Sequence, residues 1–150
     1  MIVYRLSKRI YANDLSGKGA EIAGGRWNSK GVAMLYTGES IALCVAEIAV
    51  HIPLGILPVD FCLTHIEIPD ESIFELKNLP HNWNIFPYLN ETQKVGDNFA
   101  KSGKFLAMKV PSAVVQGEFN YLIHPRHPLF SLVKILKVES FGFDERLFVR

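Results

Sequence analysis

The sequence predicts an α+β fold with a mainly antiparallel or split β-sheet. One observation is a set of short segments rich in Val, Ile, Leu and Phe, separated by Pro, Gly or Asn and weighted toward the second half. Another is that helical candidates fall mostly in the first half. A third is composition: 150 residues, 49% hydrophobic and 21% charged, are enough for one domain with a real core.

Residues 2–6 alternate and read as a short strand. Residues 16–25 hold four glycines and read as a loop. Residues 33–36 form the next strand, leading into Thr37-Gly38-Glu39-Ser40, where Ser40 or Thr37 is placed to cap a helix. Residues 41–52 are the best helix candidate, stopped by Pro53. Residues 61–68 read as a strand ended by Pro69, and 70–89 as irregular chain broken by Pro80 and Pro87. Residues 92–102, with Val95 and Phe99 four apart and Gly103 beyond, read as a short helix. Strands are then expected at 105–110, 113–115, 121–123 and 131–138.

The formal charge of +1, with no basic stripe, argues against a direct nucleic-acid binder. No apolar run approaches the roughly 20 residues of a membrane span, so no membrane partner is expected. Cys44 and Cys62 sit in apolar contexts, match no zinc motif and follow no secretory segment. They read as reduced core cysteines of a cytoplasmic protein. His124 and His127 flank Pro125-Arg126, but lack supporting ligands at zinc spacing. They read as a chain-turning loop, and no metal is expected.

Glu47 is the most informative residue. It is the one charge between residues 41 and 50, on a helix apolar nearly all round and therefore expected to be buried. An unpaired carboxylate there costs several kcal/mol, and only His51 lies one turn away as a cation. A partner from elsewhere is needed, unless the carboxylate reaches the surface at the helix edge. Arg26 stands in Gly24-Gly25-Arg26-Trp27-Asn28, where glycines permit close backbone approach and Arg suits phosphate. A glycine-rich turn with a surface Arg is the plainer reading of those residues. Tyr36 ends a strand before the Glu47 helix, either packing into the core or presenting its face to a ring. Ser112 follows Pro111 without a nucleophile motif, so it starts a strand or donates a hydrogen bond to a ligand.

Together these stretches resemble the RES domain. The blocks run in order from Tyr4-Arg5-Leu6 through Gly24-Gly25-Arg26-Trp27-Asn28, Gly31, Leu35-Tyr36-Thr37 and Ala46-Glu47. They continue through Val110-Pro111-Ser112-Ala113-Val114 and Glu118-Phe119-Asn120-Tyr121-Leu122 to Pro125 and His127-Pro128. The resemblance covers nearly the whole chain, so residues 1–150 are expected to be a single RES domain. It departs at His124-Pro125, where the family usually has Asn-Pro.

The resemblance implies an ADP-ribosyltransferase-like fold with split sheets around an NAD⁺ cleft. It implies a toxin held by a helical Xre-type antitoxin whose C-terminal segment blocks that cleft, with a toxin homodimer inside the complex. The implied activity is NAD⁺ breakdown by hydrolysis or phosphorolysis, with NAD⁺ as substrate and no further cofactor. Some relatives are expected to transfer ADP-ribose to a protein instead. The family's Arg, Glu and Ser fall on Arg26, Glu47 and Ser112, with Tyr36 as a fourth site residue. In that reading Glu47 stabilises an oxocarbenium-like ribose, Arg26 clamps phosphates, and Tyr36 and Ser112 hold nicotinamide or ribose. The rivals are a protein ADP-ribosyltransferase, a non-catalytic nucleotide- or antitoxin-binding module and, more weakly, a ribonuclease.

Overall fold

The computed structural model describes residues 1–150. The strands are β1 Ile2–Lys8, β2 Leu35–Gly38, β3 Phe61–Glu67, β4 Ile73–Glu75, β5 Ala107–Pro111, β6 Phe119–Ile123 and β7 Lys134–Phe141. The helices are α1 Lys18–Ala23, α2 Ile41–His51 and α3 Asn90–Ser102. The strands form one seven-stranded sheet in the order β4-β5-β6-β2-β1-β3-β7. Every pair is antiparallel except β4 with β5. The α+β class and the mainly antiparallel sheet therefore hold.

The expected split lies between β2 and β1. Tyr4 with Gly38 is the only registered pair there, whereas β1 and β3 pair along their whole length from Ile2 with Glu67 to Lys8 with Phe61. Two well-knit halves, β4-β5-β6-β2 and β1-β3-β7, meet at this narrow join. Period-two alternation in β6 sends Tyr121 and Ile123 to one core with Val3, Leu35 and Ile66. It sends Leu122 to a second core with Trp27, Met34, Phe99, Met108 and Val110. The first half of the sheet is thus buried on both faces.

Helix α2 begins as its cap predicts: the Ser40 hydroxyl accepts from the Leu43 N–H at 3.0 Å. It ends at Ile52, ahead of Pro53. Helix α3 buries Thr92, Gly96 and Phe99 and stops at Gly103 with φ +62°. Gly96 has a steric cause as well. A Cβ there would lie 1.5 Å from the Trp27 carbonyl oxygen, so only glycine lets α3 reach the second core.

Several expectations are corrected. Residues 16–25 contain the short helix α1, because the glycines flank it more than interrupt it. Residues 113–115 are not a strand but a tight turn between β5 and β6, their apolar character notwithstanding. The last strand runs over Lys134–Phe141, since Pro128–Leu132 forms a 3₁₀ turn first. The irregular stretch 70–89 contains β4, too short to carry a periodic signal. Strands are consequently shared almost evenly between the halves of the chain. Helix α2 is not buried all round: Leu43 and Cys44 are, but Val50 is 60% exposed. It lies beside the split with one side on the sheet and the other open.

Candidate active site

A cleft of about 1030 Å³ opens at the join between β2 and β1, at the upper end of ligand-pocket sizes. One wall is β1 from Tyr4 to Ser7; another is the open side of α2, with Glu47, Ile48 and His51. The loop holding Arg26, the segment with Phe86 and Tyr88, and the β5–β6 turn close the rest.

The Arg26 loop is fixed by its neighbours. Gly25 N–H donates to the Asn28 carbonyl at 2.9 Å, closing a tight turn. Asn28 is fully buried, and its Nδ2 donates to the carbonyls of Ala20 at 2.8 Å and Val32 at 2.9 Å. Its Oδ1 accepts from the Tyr36 hydroxyl at 2.6 Å, and that hydroxyl accepts from Trp27 N–H at 3.0 Å. Gln93 Nε2 on α3 donates to the Gly25 carbonyl at 3.0 Å. Gly25 cannot carry a side chain, because a Cβ would meet Tyr36 Oη at 2.7 Å. Trp27 is buried in the second core and packs the loop against it.

On this support Arg26 points into the cleft. Its Nη1 donates to the carbonyls of Trp83 at 2.9 Å and Ile85 at 2.7 Å, and its guanidinium lies 5.9 Å from the Tyr88 ring centroid. Partial burial lowers its pKa, an effect opposed by Tyr36, Tyr88 and Glu47.

Glu47 finds the partner its burial requires, but that partner is an amide. Asn120 Nδ2, from β6, donates to Glu47 Oε1 at 2.8 Å and also to the Thr37 carbonyl at 3.2 Å. Burial pushes the Glu47 carboxyl above its usual value, while the Asn120 hydrogen bond and the charge of Arg26 pull it back. Arg26 and Glu47 make no ion pair within 4.0 Å. They face one space.

Tyr36 lines the same cleft, but its hydroxyl is committed to the Arg26 loop, and burial drives its pKa far above the usual phenol value. Ser112 is not on the cleft wall. Its hydroxyl accepts from the N–H groups of Val114 and Val115, each at 3.0 Å, and so shapes the turn whose Ala113 and Val114 do line the cleft. The structure thus brings Arg26, Glu47 and Tyr36 together and leaves Ser112 one step behind them.

Sequence reasoning missed the roles of Asn28 and Asn120. Both lie in motifs recognised as blocks, and the two-residue period of β6 was the available signal that Asn120 and Leu122 share a face. His127, expected in a chain-turning loop, lies in one: its Nδ1 accepts from Leu129 N–H at 3.0 Å and caps the 3₁₀ turn.

A carboxylate poised by one amide, a guanidinium with its Nε and Nη2 donors free, and an aromatic face suit a phosphorylated ligand with a developing positive charge. The RES domain model matches residues 2–144. The chain belongs to the RES-domain family. It is 40% identical over 141 residues to the Prs ADP-ribosylating toxin of Sphingobium sp. strain YBL2, covering 91% of this chain and 88% of that protein. It is 38% identical over 151 residues to Toxin Res of Yersinia enterocolitica, covering 98% and 99% of the two chains. Its fold is similar to a chain of the M. tuberculosis MbcT–MbcA toxin–antitoxin complex, with TM-score 0.72, 18% identity, and 94% and 84% of the chains covered. Its named relatives at this level of identity are toxins, and the chain is a toxin of the RES type.

Proposed function

We propose that this toxin cleaves the nicotinamide–ribose bond of NAD⁺ and so depletes it, within a toxin–antitoxin pair. The observation that carries the reading is Glu47, hydrogen-bonded by Asn120 and facing the cleft beside Arg26 with no ion pair to neutralise it. As the bond breaks, nicotinamide leaves with the bonding electrons and positive charge develops on the ribose. The Glu47 carboxylate stabilises that charge. Arg26 holds phosphate through its free donors. Tyr36 supplies a ring face, and Ser112 positions the turn that closes the cleft. Water adding at the anomeric carbon gives ADP-ribose, nicotinamide and a proton; inorganic phosphate gives the 1-phosphate. NAD⁺ is the substrate, and the reaction needs no further cofactor or metal.

A second reading is favoured by the name of the Sphingobium relative: a protein side chain is the acceptor, and ADP-ribose ends up attached to it. In either case the partner is an Xre-type antitoxin whose segment fills the cleft, with two toxin copies in the complex, in the cytoplasm. NAD⁺ and nicotinamide are followed over time with purified protein, with and without phosphate, beside Glu47→Gln and Arg26→Ala. Loss of NAD⁺ in the wild type alone supports the reading. NAD⁺ consumed only in step with label appearing on an added acceptor protein replaces it with the second; folded protein that neither consumes NAD⁺ nor labels a protein sinks both.

A further inference from the structure

Residues 78–88 border the cleft through Asn84, Phe86 and Tyr88 and contain no helix or strand. Their internal hydrogen bonds close two short turns, Trp83 N–H to the Pro80 carbonyl at 3.2 Å and Ile85 N–H to the Asn82 carbonyl at 3.3 Å. Only two hydrogen bonds tie this segment to the rest of the chain. Both come from Arg26 Nη1, to the carbonyls of Trp83 at 2.9 Å and Ile85 at 2.7 Å. Just outside the segment the chain is fixed again. Leu76 N–H donates to the Lys109 carbonyl at 2.9 Å, and the Leu89 carbonyl accepts from the Thr92 hydroxyl at 2.9 Å.

Packing holds the segment lightly as well. Trp83 rests on Trp27 with ring centroids 6.4 Å apart, at the edge of the second core. Phe86, by contrast, lines the cleft while 76% exposed, an aromatic ring at the rim with little to cover it. A segment with few hydrogen bonds and few buried apolar contacts opens at low free energy, and active-site lids are drawn from such segments. The bonds from Arg26 are charge-assisted and hence stronger than neutral ones. Nη1 carries two hydrogens, and both are spent on this segment, while Nε and Nη2 stay open to an anion. One guanidinium can therefore hold the segment and a ligand together.

We propose that residues 78–88 are a lid latched by Arg26. An anion at Nε and Nη2 holds the guanidinium still, the lid settles with it, and Phe86 moves from solvent onto the ligand. The ligand's identity as NAD⁺ rests on the function proposed above; the latch does not. The test is limited digestion with chymotrypsin, its cuts located by fragment mass, on Glu47→Gln protein, which leaves NAD⁺ intact. Trp83 and Tyr88 offer cutting points within the lid. Adding Arg26→Ala is expected to speed those cuts by about tenfold to a hundredfold and to leave cuts elsewhere unchanged. Arg26→Lys, which keeps the charge but loses the paired donors, is expected to fall between and serves if Arg26→Ala melts early. Saturating NAD⁺ should slow the lid cuts severalfold in the parent and not in the Arg26 variants. Phe86→Ala, at an exposed position, should weaken NAD⁺ severalfold in isothermal titration with the ligand-free cutting rate unchanged. Equal lid cutting in parent and Arg26 variants overturns the latch, as does a rise shared by cuts along the whole chain, which would make Arg26 a scaffold residue. NAD⁺ that binds without slowing the lid cuts, or as tightly to Phe86→Ala, overturns the closure. Arg26-dependent cutting in a parent that does not bind NAD⁺ keeps the latch and sinks the NAD⁺ reading.

Discussion

Asn120 donates from β6 to Glu47 on α2 at 2.8 Å, and this one bond joins the sheet to the helix at the floor of the cleft. The same amide donates to the Thr37 carbonyl, so both of its hydrogens are used and its orientation is fixed. Replacing it by alanine removes the hydrogen bond that favours the ionised carboxylate. The Glu47 pKa, already raised by burial, then rises further. If the ionised form does the work, activity is lost as pH falls through that pKa. Asn120→Ala is expected to shift the acid limb of the kcat profile to higher pH. It should also lower kcat above that limb by about tenfold to a hundredfold. An unmoved limb would remove Glu47 as the group that titrates.

Glu47→Gln separates catalysis from stability. Burial raises this carboxyl above its usual value of 4.5, so the folded state holds the proton more tightly than the unfolded chain. Between the two values the folded state binds more protons, and stability falls as pH rises. The cost is absent below the unfolded value and complete above the raised folded one. The amide oxygen introduced by the substitution still accepts from Asn120, without that cost. At neutral pH the variant is expected to melt a few degrees higher than wild type, with a difference that vanishes in acid. Its NAD⁺ cleavage should fall by roughly a hundredfold or more. Thermal melts at two pH values check the sign.

Tyr36→Phe tests whether the hydroxyl serves the loop or the ligand. Its loss leaves Asn28 Oδ1 and Trp27 N–H without their partners in a buried setting. The expected cost is about 1–3 kcal/mol, read as a lower Tm. KM should rise more than kcat falls, because the loop that carries Arg26 loosens. An unchanged Tm with a lost kcat would instead mean that the hydroxyl touches the reacting ribose.

What the sequence disclosed follows from the range of each physical signal. The α2 start at Ser40, its stop before Pro53 and the α3 stop at Gly103 depend on side chains a few residues away, so they were legible. Placing Glu47 and Arg26 in one cleft needed the family resemblance, because they lie on α2 and on a loop that meet only through the β2–β1 join. Asn120 stayed hidden because its partner is 73 positions away. Val114 and Val115 misled because β-branched residues favour strands, whereas the Ser112 hydroxyl holds them in a turn. The short β4 carries only three residues, too few for periodicity to register.

Gly96→Ala tests the tightest of the glycine contacts. The added Cβ would sit 1.5 Å from the Trp27 carbonyl oxygen, a backbone atom that has no rotamer to yield. Helix α3 must move away from the second core, and Gln93 loses its hold on Gly25 with it. Overpacking of this kind costs about 1–3 kcal/mol or more. A clear drop in Tm together with weakened ligand binding is expected; a Tm within a degree of wild type would show that α3 shifts freely.

Ser112→Ala distinguishes shaping the turn from touching the substrate. The hydroxyl lies off the cleft wall and accepts from Val114 and Val115 N–H, so its removal frees two donors in a turn that water can reach. The stability cost is therefore expected to stay near about 1 kcal/mol. Ala113 and Val114 would lose their fixed position on the wall, raising KM severalfold while kcat at saturation stays within about threefold. A threonine, which keeps the hydroxyl, should restore KM. If Ser112→Ala instead lowers kcat a hundredfold with the melting curve and KM untouched, the hydroxyl must reach the ribose in a conformation other than this one, and the turn opens when substrate binds.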